Sequence, residues 1–208
     1  MEKQIFRVKL IICFLCLLLV SCNPQKSPEK CISSFLSLIA SGNREKAASL
    51  LAADSRFLPE QAAFELVKSL AQKRGRSEHN SDGTWTNGEL EFSLSESQGK
   101  YAVSAVIHPE LSVYFFLHYY QSGDFESASI YLPPELREEF VLMMKIITVK
   151  SAGPDKQKLF ENFSVDSSAI DEETAEVSYT IDGKPGKYKL RYEENNWEIL
   201  YPVKNLWN

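Results

Sequence analysis

Three histidines, His79, His108 and His118, are the side chains best suited to move a proton near neutral pH. Their spacing fits no metal-binding pattern such as His-Glu-x-x-His, and the chain contains no Gly-rich phosphate loop and no Gly-x-Ser-x-Gly elbow. His79 lies in the polar stretch RSEHNSDG, which reads as a solvated loop, and His108 precedes a proline suited to open a helix. His118, in the aromatic run FFLHYY, could act as a base in a pocket, but the sequence offers it no evident acid partner. The acidic pairs Glu172-Glu173 and Glu193-Glu194 read as loop or strand-end charge. No catalytic residue, metal or cofactor is therefore assigned from sequence.

Cysteine chemistry is more informative. Lys3, Arg7 and Lys9 precede an uncharged segment, Leu10 to Ser21, that is too short for the roughly 20 residues of a membrane-crossing helix. Such a run reads as an export signal. Its last residues, Leu19-Val20-Ser21-Cys22, resemble the lipobox of bacterial lipoproteins: a branched apolar residue, a variable position, a small residue, then cysteine. The resemblance implies cleavage before Cys22 and diacylglycerol on its sulfur, which anchors the chain to a membrane with the folded part outside the cytoplasm. Of the four cysteines, Cys13 and Cys16 leave with the signal and Cys22 carries lipid, so Cys31 alone stays free and no intramolecular disulfide forms. Cys31 shares a helical stripe with Phe35, Leu38 and Ile39 and reads as a small buried hydrophobe.

Loss of residues 1–21 removes three basic residues and one acid, leaving 20 Lys and Arg against 27 Asp and Glu. A chain of that charge does not seek phosphate backbones, so nucleic acid is not an expected partner.

The elements that must position these residues come from a repeat. PEKCISSFLSLIASGNREKAASLL from Pro28 and PELSVYFFLHYYQSGDFESASIYL from Pro109 agree at nine of 24 positions with a constant offset of 81. Pro28 and Pro109 suit a first helical turn, Gly42 and Gly123 a left-handed helix end, and Asn43 and Asp124 the cap of a following helix. A third helix is expected to open at Pro59-Glu60 or Pro134-Glu135. Alternation of period two then predicts strands, through Leu90, Phe92, Leu94 and through Tyr101, Val103, Ala105, Ile107 in the first copy. In the second, the alternating sets are Val177, Tyr179, Ile181; Tyr188, Leu190, Tyr192; and Trp197, Ile199, Tyr201, with turns at Asp182-Gly183 and Asn195-Asn196. The expected division is a signal at 1–21, a tether at 22–27, a first α+β repeat at 28–107 and a second at 108–208.

The segments FLHYYQSGDFESASIYL and AEVSYTIDGKPGKYKLRYEENNWEIL resemble the cone-shaped α+β domains of the nuclear transport factor 2-like superfamily. They are similar above all to uncharacterised bacterial lipoproteins whose last strand carries Trp-x-Ile, here Trp197-Glu198-Ile199. The resemblance implies a sheet curled around the long helix, often leaving a pocket. Enzymes of the superfamily place a His–Asp or paired-acid set there, and no such set can be matched residue by residue in this chain.

The copies differ where Ser33, Ser34 and Ser37 of the first long helix become Tyr114, Phe115 and His118 in the second. That face either packs against the other copy or forms a surface for a ligand or partner. Tyr179, Tyr192 and Trp197 pose the same question in the second sheet. The sequence thus predicts an α+β, lipid-anchored envelope protein that binds an envelope partner or a small apolar ligand without catalysis, the alternative being a small-molecule enzyme of isomerase, dehydratase or hydrolase type.

Overall fold

The computed structural model describes residues 26–57, 59–71, 77–151 and 159–200. Residues 1–21, Cys22, most of the tether and Tyr201 lie outside them. The described chain is mixed α+β, with six helices and two four-stranded antiparallel sheets, and its order is three helices then four strands, twice. In the N-terminal half, α1 (Pro28–Ala40), α2 (Arg44–Ala48) and α3 (Gln61–Leu70) precede β1 (Glu78–His79), β2 (Trp85–Asn87), β3 (Leu90–Ser97) and β4 (Lys100–Ile107). In the C-terminal half, α4 (Pro109–Ser122), α5 (Phe125–Ser129) and α6 (Pro134–Ser151) precede β5 (Phe163–Asp171), β6 (Thr174–Ile181), β7 (Lys184–Glu193) and β8 (Asn196–Ile199). Among the described residues no helix is long and apolar enough to cross a membrane.

The helical corners follow from the residues that recur at the offset of 81. Ser27 and His108 cap α1 and α4 ahead of prolines in the first turn, and Gly42 and Gly123 take positive φ at 73° and 77°. The next amide turns back in both halves, from Asn43 to the Leu38 carbonyl and from Asp124 to that of Tyr119. The side chains of Asn43 and Asp124 then cap α2 and α5 by accepting from the amides of Lys46 and Ser127.

Each sheet is a meander with one apolar face. Two-residue turns at Gln98-Gly99, Asp182-Gly183 and Glu194-Asn195 set the register with both residues at positive φ. The last turn sits one residue earlier than Asn195-Asn196, because Asn196 already pairs with Glu193. Phe35 of α1 packs on Phe64 of α3 and Phe92 of β3, while Phe116 of α4 packs on Phe140 of α6 and Tyr188 of β7. The same backbone closure also recurs: the Val103 amide donates to the Leu50 carbonyl, and the Ile199 amide to that of Tyr131.

The expected curl of each sheet around its long helix is not observed, and neither sheet is curled. The reason lies in the edges. The segment Leu50 to Ala52 lies along β4, and the Tyr131 carbonyl takes a bond from β8, so a short piece of chain stands where a closing strand would have to pair. Strands β1, β2 and β5 were not anticipated from sequence. β1 and β2 are too short to alternate, and the bulge at Val165 to Ser167 breaks the period of β5.

Candidate functional site

Helix α4 is the centre of the molecule. Helix α1 buries one stripe, Cys31, Ile32, Phe35, Leu36 and Ile39, whereas every residue of α4 from Pro109 to Leu117 is buried. The added face is the one that carries Tyr114, Phe115 and His118. Phe115 stands edge-on to Phe57 of the N-terminal half, with ring centroids 5.7 Å apart, and Tyr131 lies at 6.1 Å. Beside it, Glu60 accepts from the Tyr114 hydroxyl at 3.2 Å and meets His118 Nδ1 at 3.2 Å through the same carboxylate oxygen. Burial, with Glu60 adding to it, pushes the Tyr114 phenol up to about 12.

The structure therefore brings Tyr114, Phe115 and His118 together and supplies the acid that sequence did not pair with the histidine. Glu60 precedes α3 but makes no side-chain cap bond, which leaves its carboxylate free to reach across the chain. A helix-opening acid that does not cap is the signal that could have pointed to it, though nothing in the sequence names its target. Both partners are partly exposed, with 27% of the His118 and 43% of the Glu60 side chain accessible.

The other three candidates lie apart from these, on the C-terminal sheet. Tyr179 of β6 stacks on Tyr188 at 4.4 Å and lies over Gly186, where an added Cβ would stand 2.5 Å from the ring. Trp197 is buried beside Tyr192, at 5.2 Å between centroids. The Tyr192 hydroxyl crosses to the N-terminal half and donates to Glu91 at 2.6 Å, and burial together with that carboxylate raises its pKa. These aromatics serve packing and one cross-sheet hydrogen bond.

Two polar side chains whose burial the sequence does not announce are His108 and Glu198. His108 is 2% exposed and its Nδ1 accepts from the Glu110 amide at 3.3 Å, so it acts as the cap of α4. Burial holds its imidazole down at about 4, partly offset by Glu89. Glu198 is buried on β8 between Arg137 of α6 and Arg191 of β7, at 3.6 and 3.2 Å. Cys31 is fully buried, with its thiol against the Tyr101 carbonyl and its pKa pushed up to about 11 by burial, as suits a structural residue.

Three hollows bear on binding. One of about 20 Å³ between the halves, lined by Phe57, Phe115 and Asn196 among others, has room for about one water. Open hollows of about 420 Å³ beside Val141 and Leu142 and of about 350 Å³ beside Thr174 and Leu200 lie on the surface. None of the three is lined by Tyr114, His118, Tyr179, Tyr192 or Trp197. No group of three or more potential metal ligands occurs among the described residues. No family model, no curated protein and no solved structure matches this chain, so its own residues carry the functional argument.

Proposed function

We propose that this chain is a lipid-anchored protein of the bacterial cell envelope, built of two tandem α+β units and acting as a non-catalytic binding or assembly module. The leader carries this reading: three basic residues, a short apolar run, and Leu19-Val20-Ser21-Cys22 at its end. The tandem arrangement is supported by helical-corner bonds that recur at the offset of 81, and by the closures of β4 and β8, whose acceptors Leu50 and Tyr131 keep that offset. The non-catalytic reading is supported by the three hollows described above, none of which His118 lines. Cys22→Ser should abolish labelling by a fatty acid and release the protein from the membrane fraction or leave an uncleaved precursor. Continued labelling of that variant would refute the anchor.

The His118–Glu60 contact also favours a second reading, a small-molecule enzyme of the nuclear transport factor 2-like superfamily with His118 as general base. Glu60→Gln separates the two. Under the enzyme reading turnover of a small substrate falls at least tenfold, whereas under the binding reading the change registers only as a modest loss of stability.

A further inference from the structure

Of the four sheet edges, three are protected. β4 is flanked by Leu50 to Ala52, β8 receives the Tyr131 carbonyl, and β1 is two residues long. β5 is different. It is nine residues long, pairs on one side with β6 only, and among the described residues no other backbone group bonds to it. Its sequence, FSVDSSAID, contains neither the Lys nor the Pro that ordinarily blunts an open edge, and beyond the bulge at Val165 to Ser167 the run from Ser167 to Asp171 pairs regularly. Six of its nine residues are exposed, including Ile170 with 47% of its surface accessible.

The edge also has a definite charge. Asp166 and Asp171 stand on the strand and Glu172-Glu173 form the turn that follows, while no cation lies within ion-pair distance of Asp166 or Asp171 among the described residues. Among the described residues Asp166 accepts from the hydroxyls of Ser164 and Thr180. A second copy of this chain would bring the same acids to the contact with no basic group on its own β5 to meet them.

We infer that the free edge of β5 binds an extended, basic segment of a partner protein, which adds to the C-terminal sheet as a fifth strand. Backbone bonds supply the affinity, one row of side chains meets Ile170, and Lys or Arg in the alternate row meets Asp166 and Asp171. This inference rests on the binding-module reading and names the surface that module uses.

The test uses the full chain and two ten-residue probes, one alternating Val and Lys and the other alternating Val and Glu. The Val/Lys probe should bind at least tenfold more tightly, weaken as salt is raised, and protect β5 amides from hydrogen exchange. Ala169→Lys, an edge charge on an exposed position, should weaken that probe at least tenfold without changing the melting temperature. Equal binding of both probes, or protection elsewhere than β5, overturns the inference. So does a concentration-dependent dimer abolished by Ala169→Lys, which would give the edge to a second copy. The membrane anchor is read independently by Cys22→Ser, so loss of one result leaves the other standing.

Discussion

His108 caps α4 with a nitrogen that must stay unprotonated. Its folded pKa of about 4 lies below the ordinary value near 6.5, so between these pH values the unfolded chain binds a proton that the folded chain does not. Stability therefore rises with pH through that window and is lost as the pH falls from 6.5 toward 4. The whole shift corresponds to about 3 kcal/mol. Denaturant unfolding should show His108→Asn, which keeps a capping acceptor, to be less sensitive to a drop from pH 7 to pH 5 than the parent chain. Equal sensitivity in the two proteins would place the acid response elsewhere. At this scale the sequence was only half legible: a proline after His108 announced a helix start, but burial of the cap is set by tertiary packing, which no local pattern encodes.

Gly186 and Tyr179 form the most sharply constrained pair within one element. The glycine leaves room for the ring, which stacks on Tyr188 above the β7 backbone. Gly186→Ala should displace the ring and cost about 1–2 kcal/mol, measured as a shift in the denaturation midpoint. Tyr179→Ala should relieve the clash, so the double variant should lose no more than Tyr179→Ala alone. Elements with a clean local signature were legible: α1, α4, β3, β4, β6, β7 and β8 follow from period and turn chemistry. β5 was not, since its bulge and its serines erase alternation. The curl implied by family resemblance failed for another reason. Edge pairing by Leu50 and Tyr131 is a long-range choice, and apolar alternation reads the same whether a sheet closes or stays open.

Across the whole molecule, the described halves are joined by side chains. The Phe57–Phe115 contact, the Glu60 bonds and the Tyr192–Glu91 bond cross between them, and no backbone hydrogen bond among the described residues does. The intact protein should nevertheless melt in one transition, because α4 is buried by both halves. Phe115→Ser should cost about 2–4 kcal/mol, as for a large truncation that leaves a buried hydroxyl. Combined with Tyr192→Phe, it should split the calorimetric profile into two transitions. A profile that stays single while shifting downward would mean that other contacts couple the halves. In the sequence, Tyr114, Phe115 and His118 stood out by the change from serines and Tyr192 by its place in the second sheet, while their partners Phe57, Glu60 and Glu91 were not paired with them.

The two edge closures bear on how the chain finds its structure. Leu50 meets Val103 and Tyr131 meets Ile199, so each closure confines its loop to one half. The loops are of similar length, and because closure entropy grows only with the logarithm of length, their costs differ by about 0.2 kcal/mol. Neither half has a topological head start. Refolding should therefore run as two parallel searches of comparable rate, with docking on α4 as the step that follows both.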